Sequence, residues 1–296
     1  MKRSNVLKGY IFVILSAIIF GLMPLMAKLI YAEGTNPQSL VLLRNALSVP
    51  FLLIFSVLTK GFTKIRARVF PQISFIALMG CCLTPLLLFN SYNHIPSGTA
   101  TVFHFIYPAV VVLGEYIIFN NKLSFGHILS VIFCAVGIML FYNKNSIITF
   151  EGSFYALLSG VTYAIYVMCL SSFKHKEISG FTFNLCAALF STVVMLAVCL
   201  LTNQLKLPQS VYGWFLTLLF SLSLNVGAIV LFQKGTFLIG GGRASVLSTL
   251  EPVTSILAGA IVFNENINAH TYLGTILVVV ASVLIALNDM KSESNL

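Results

Sequence analysis

The sequence predicts an all-α membrane protein whose ten transmembrane helices form two inverted five-helix repeats. Three observations predict it. The 296-residue chain is 58% hydrophobic and 8% charged, with a mean hydropathy of +0.97, whereas a soluble domain carries roughly 25% charged residues to face water. Apolar runs of about 20 residues, each enough to cross a ~30 Å hydrocarbon core, follow one another from end to end. A shift of 144 residues lays Ile95–Ile132 on Ile239–Ile276, with Gly98 on Gly242, Ala100 on Ala244, Pro108 on Pro252 and Phe119 and Asn120 on Phe263 and Asn264.

The first span is expected over 9–31. It follows a basic start and is too long, with no small-residue cleavage site after it, to read as a cleaved leader. Gly34-Thr-Asn-Pro37 turns the chain into the second span, 37–59, which Lys60–Arg68 ends. The third, 71–93, gives way at Asn93-His-Ile-Pro96 to the fourth, 97–119. The fifth, 123–143, stops at Asn143-Lys-Asn-Ser146, so the repeats divide as 1–145 and 146–296. The remaining spans are 151–172, 178–202, 210–233, 241–264 and 268–288, with Lys174-His-Lys-Glu177 and Gly240-Gly-Gly242 among their breaks. Helix is the only assignment that satisfies backbone groups in lipid, because these runs lack the alternation of a barrel. At about 28 residues per span and loop, no room is left for a soluble domain.

Loop charge predicts orientation. With the N-terminus inside, the inner segments hold Lys2, Arg3, Lys8, Lys60, Lys64, Arg66, Arg68, Lys122, Lys174, Lys176, Lys234, Arg243 and Lys291. The outer ends hold Lys28, Lys144 and Lys206, so thirteen cations face three and both termini are expected in the cytoplasm. The net charge of +9 therefore describes topology; no basic and aromatic patch of the size a nucleic acid needs accompanies it. The six cysteines all fall inside apolar runs, at spacings that suit neither a disulfide framework nor a zinc site. No cofactor motif is present. An odd number of spans per repeat turns the second half upside down, and inverted repeats are how many secondary carriers build two states around a midplane site.

Polar groups inside the runs are the candidate site. Glu251 is expected about ten residues into the ninth span, ~15 Å deep at 1.5 Å per residue. A carboxylate there is costly and should face the bundle interior. It reads as a substrate or proton contact, or alternatively as a structural group that holds a helix turn or pairs with Arg44. Ser248 and Ser255 share its face, and Pro252 frees the carbonyl of Ser248. In the fourth span His104, Tyr107 and Glu115 lie on or near one face, and Tyr107 is the repeat counterpart of Glu251. His104 is the side-chain type that ordinarily titrates near neutral pH; packing within the bundle is its alternative. Tyr155, Ser159, Thr162, Tyr163 and Tyr166 form a polar and aromatic stripe on the sixth span, suited to an amphipathic ligand or to interhelical packing. Ser221 and Asn225 share a face of the eighth and read as path-lining, while Arg44 of the second is a counter-ion for a substrate carboxylate or a structural partner.

Residues 248–268, STLEPVTSILAGAIVFNENIN, resemble the EamA-type branch of the drug/metabolite transporter superfamily, in which a Glu-Pro in the ninth helix precedes a Glu-containing turn. AIVLFQKGTFLIGGGRAS over 228–245, Pro37 with Arg44, and YNHIPSGTATVFHFIYPAVVV over 92–112 are similar to that family's other passages. The first half departs from it where Tyr107 replaces a Glu equivalent to Glu251 and Asn121 one equivalent to Glu265. The resemblance implies a secondary active carrier in the plasma membrane, often an exporter of amino acids and other small metabolites, working by alternating access. The residues then suggest a substrate contact set of Glu251, Ser248, His104, Tyr107, Tyr163, Asn225 and Arg44, with Glu251 as the proton-coupling candidate and a small zwitterion or amine favoured over a polyanion.

Rival classes fare less well. Asp289 in the tail is the only Asp, which excludes a di-aspartyl intramembrane protease, and no HExxH stands for a zinc enzyme. A channel would need pore rings from an oligomer. A proton-coupled exporter of cations and drugs is the alternative within the carrier class.

Overall fold

The computed structural model describes residues 3–58, 65–119, 125–140, 148–173, 178–239, 247–264 and 268–294. Glu265, Asn121 and the loop cations Lys64, Lys144, Lys174 and Arg243 lie outside them, as does the side chain of Glu115. The described residues are helices with short connections, and no strand occurs among them.

In the first half, α1 (Arg3–Gly21) and α2 (Met23–Ala32) make the first apolar run and α3 (Pro37–Leu58) the second. The third is α4 (Phe70–Ala77), a π-helical turn at Leu78–Leu83, and α5 (Thr84–Ser91); α6 (Ser97–His104), α7 (Tyr107–Phe119) and α8 (Phe125–Met139) follow. In the second half come α9 (Phe150–Ser171), α10 (Gly180–Leu201), α11 (Val211–Ser221), a π-helical turn at Leu222–Ala228, α12 (Ile229–Ile239), α13 (Leu250–Phe263) and α14 (Ala269–Ser294). Thr149, Ser179 and Ser210 start α9, α10 and α11 by accepting the N–H of Gly152, Thr182 and Gly213, each cap contributing about 1 kcal/mol.

Among the described residues seven helical segments are long and apolar enough to cross a membrane, and three shorter apolar helices, Ile128–Met139, Leu250–Phe263 and Ala269–Leu284, fall within the other three expected runs. The surface matches lipid. Ile117 is 72% exposed, Leu201 84% and Val211 89%, while Ser39, Ser48, Ser56, Ser91 and Ser159 are fully buried. Water would penalise that arrangement, whereas lipid favours polar groups turned into the bundle. The chain is a multi-pass membrane protein.

Helix pairing follows the internal repeat. α3 packs along α10 and α8 along α14, and in each of these pairs one helix is the counterpart of the other under the 144-residue shift; α6 crosses α13, which is the counterpart of α7. α1 packs on α12 and α5 on α9, two pairs that the same shift exchanges. The π-helical turns obey it as well, since Leu78–Leu83 moved by 144 falls within Leu222–Ala228. The first helix of each half reaches the opposite half at these turns, at Ala228 within the second and at Thr84, the residue directly after the first. Ser16 donates to the Ala228 carbonyl at 2.8 Å, and the hydroxyls of Thr84 and Thr162 lie 2.8 Å apart.

The fourth and ninth spans, expected as continuous helices, are interrupted. The first breaks at Phe105 and Ile106, the second at Thr249, and Phe105 moved by 144 is Thr249. Pro108 and Pro252 supply the reason. Each lacks the N–H that would bond the carbonyl four residues earlier, so the turn before it loosens. At one end of the bundle the halves clasp: the Ser210 hydroxyl donates to the Glu33 carboxylate, Asn36 Nδ2 to the Gln204 carbonyl at 2.7 Å, and Lys206 N–H to Ser39 Oγ at 2.7 Å.

Candidate functional site

A cavity of ≈ 100 Å³ lies between the halves, small beside the ~300–1,000 Å³ of sites for drug-sized ligands. Arg44, His104, Tyr107, Tyr163 and Glu251 line it, from α3, α6, α7, α9 and α13. Thr84 and Thr101 add hydroxyls; Phe20, Met23 and Leu88 supply the apolar wall.

The two interrupted helices bring their second pieces to this cavity. Tyr107 is the first residue of α7, and Glu251 stands in the first turn of α13. Counting from the expected start of the ninth span put Glu251 mid-helix; the break at Thr249 puts it at a helix N-terminus instead. Unpaired N–H groups there favour negative charge. The aromatic side of the cavity is closely packed. The rings of Tyr107 and Tyr163 meet edge to face at 4.8 Å, His104 lies 5.2 Å from Tyr163 and 5.8 Å from Tyr107, and Tyr166 stacks behind Tyr163 at 5.4 Å.

His104 is oriented by Ser159, whose Oγ is 2.8 Å from Nδ1. Its carbonyl comes so close to α9 that a Cβ on Gly160 would stand 2.7 Å from the oxygen, so glycine is required for the approach. Gly80 makes room in the same way for Tyr166, whose ring would be 2.2 Å from an added Cβ. α6 meets α13 directly: the Thr101 and Ser255 hydroxyls are 3.0 Å apart, and a Cβ on Gly98 would lie 2.8 Å from the Ile256 Cα.

The polar stripe of the sixth span is divided among neighbours. Tyr163 faces the cavity, Ser159 serves His104, Thr162 meets Thr84, and Tyr155 rests 5.9 Å from His94 at the far end of α9. Ser248 is buried one turn before Glu251 and is not part of the cavity wall. Asn225 is not part of it either. Its Nδ2 donates to the Arg44 carbonyl and to Ser48 Oγ, each at 3.0 Å, and Ser221 Oγ donates to the same carbonyl at 2.6 Å. Among the described residues Arg44 Nε has no hydrogen-bond partner, and no ion pair joins Arg44 to Glu251. Thr84, Thr101 and the residues from the first span had not been singled out by sequence. The available signal was Pro85, a proline inside the third run next to its π-helical turn.

Comparison with known proteins agrees with this architecture. The chain matches the EamA-like transporter family twice, over residues 7–143 and 150–287. It is 25% identical to "Uncharacterized transporter YcbK" of Bacillus subtilis over 287 residues, which cover 92% of this chain and 91% of that one. It is 21% identical to "Uncharacterized inner membrane transporter YicL" of Salmonella typhimurium over 298 residues, 96% of this chain and 97% of the relative. A solved crystal structure superposes with a TM-score of 0.67 over 99% of this chain and 100% of its own, at 14% identity, which speaks to the fold alone. With both halves matched in turn and the helices arranged as described, the chain belongs to the EamA-like transporter family.

Proposed function

We propose that the protein is a secondary active exporter of small zwitterionic metabolites such as amino acids, working by alternating access around the cavity that holds Arg44 and Glu251. One observation carries the reading: a cation and an acid line the same small cavity between the halves without pairing with each other. A ligand with both charges would pair with each. A polyanion is disfavoured, because among the described residues Arg44 is the one Lys or Arg in the wall. The aromatic trio of His104, Tyr107 and Tyr163 would also suit an organic cation, and a proton-coupled cation exporter is the second reading; a guanidinium in the same wall opposes it. Glu251 is the proton carrier in either case.

Ten spans in two inverted five-helix repeats, 1–145 and 146–296, fit the three shorter apolar helices and the exchange of helix pairs under the repeat shift. Such symmetry supplies two conformations of similar energy around one site. Expression of the protein in cells challenged with a panel of amino acids and toxic analogues tests the substrate class. Raised resistance to zwitterionic analogues supports it, and resistance confined to organic cations overturns it.

The reading also places the protein in the plasma membrane with both termini in the cytoplasm. Single cysteines replacing Lys144 and Lys206 are expected to react with an impermeant maleimide in intact cells, and cysteines replacing Lys64 and Lys174 only after permeabilisation. The opposite pattern overturns the orientation.

A further inference from the structure

We propose that Arg44 is the seat of a carboxylate on the transported molecule, and that Ser221 and Asn225 of the second half are positioning residues that hold it in place. The proposal rests on the reading that the cavity is the substrate site, and it narrows that reading to ligands bearing a carboxylate at one defined end.

The guanidinium is a permanent cation with donors in a fixed planar fork, which fits the two oxygens of a carboxylate. It lines the cavity, its Nε is buried, and among the described residues that atom has no hydrogen-bond partner. Burying such a donor without an acceptor is costly, more so for a charged group. Glu251, in the same wall, does not neutralise it. A cation that lines the cavity thus keeps a buried Nε–H without an acceptor among the described residues.

The backbone of Arg44 is held more firmly than its side chain. Its carbonyl accepts from Ser221 at 2.6 Å and from Asn225 at 3.0 Å, and Asn225 also reaches Ser48. Both donors are buried and lie 177 and 181 residues away in sequence, at the junction of α11 with its π-helical turn. The next residue is pinned from the other side: Asn45 Nδ2 donates to the Cys81 carbonyl at 3.3 Å, within the π-helical turn of the first half. Pro85 has no N–H to bond that carbonyl in an α-helix, which leaves it available to Asn45. Cys81 and Asn225 are repeat counterparts, 144 residues apart. The two irregular turns therefore grip Arg44 and Asn45 from opposite halves, and π-helical turns of this kind are frequent at functional sites. The side chain that meets the anion comes from the first half; the groups that set its direction come from the second.

The test uses purified full-length protein in lipid nanodiscs. Thermal stabilisation is measured with L-alanine, L-alaninamide, ethylamine and inorganic phosphate at millimolar concentration. L-alanine is expected to bind about tenfold or more tightly than L-alaninamide, as loss of a charge-assisted hydrogen bond implies, with phosphate weak. Arg44→Gln should erase that preference, and Arg44→Lys, which keeps the charge but not the fork, should retain part of it. Asn225→Ala and Ser221→Ala should each lower the alanine-to-alaninamide ratio, and Ser221→Thr should restore it. A purely structural role would change ligand-free stability and leave the ratio alone. Equal binding of alanine and alaninamide by the wild type, binding of none of the probes, or an unchanged ratio in Arg44→Lys and Asn225→Ala overturns the proposal. If Glu251→Gln abolishes alanine binding while the Arg44 variants do not, the cavity stands as the site and only the carboxylate assignment fails. If neither matters, the reading of the cavity fails with it.

Discussion

Glu251→Gln is expected to reduce transport at least about tenfold while expression, membrane insertion and gel-filtration behaviour stay those of the wild type. Gln has nearly the volume of Glu and keeps a polar side chain in the first turn of α13, so the fold loses little. What it loses is the charge and the proton. A carboxylate withdrawn into the bundle is a costly group, one retained where ligand or proton meets it, and it sits beside Tyr107 and Tyr163 in the cavity wall. Any residual transport in the variant is expected to be flat with pH, because among the described residues no other carboxylate lines the cavity. Transport by Glu251→Gln at wild-type rates across the pH range would show that the carboxylate is structural, a part of the helix break and not of the cycle.

Gly98→Ala is expected to destabilise the protein by ~1–3 kcal/mol, the usual range for overpacking a filled interior, and to reduce transport with it. The new Cβ would stand 2.8 Å from Ile256 Cα and 3.2 Å from its N. Those are backbone atoms inside α13, so neither can rotate away as a side chain could. α6 would have to retreat from α13, and the 3.0 Å contact of Thr101 with Ser255 would open. That crossing carries Glu251 on one side and His104 on the other, so the cavity would deform as well. Gly227→Ala is the control, since its Cβ would meet only the Leu222 carbonyl, at an ordinary 3.5 Å. Thermal unfolding in detergent separates the two. Equal melting temperatures for both variants would mean that the crossing is looser than its geometry.

Helix, lipid and repeat were legible in the sequence because each is written in neighbours along the chain. Apolar run length and the Pro-108 and Pro-252 register needed no tertiary information, and the pairing of Tyr107 with Glu251 came from the shift alone. Phase within the spans was less legible. Counting residues from an assumed helix start put Glu251 deep within a continuous helix, but the chain breaks at Thr249 and restarts, so the carboxylate lies in a first turn. Helical spacing correctly gave Ser221 and Asn225 one face. It could not say what that face meets, and both turn to the carbonyl of Arg44. The residues of the sixth span illustrate the same gap: one stripe at helical spacing supplies a cavity wall, a support for His104 and a contact at the end of the bundle.

By itself the sequence determined that this chain dissolves in lipid, spans it as helices and repeats itself once. Those properties follow from the transfer energy of each side chain and from backbone groups that must bond locally where no water reaches them. Only the tertiary structure decided that Arg44 and Glu251 share a cavity unpaired, that the fourth and ninth spans break just before Pro108 and Pro252, and that the second half holds the carbonyl of a cation from the first. The bonds to that carbonyl alone join residues 177 and 181 apart. They depend on how close two helices can come and at what rotation, which Gly98, Gly160 and the π-helical turns set through packing, and which no local pattern in the chain encodes.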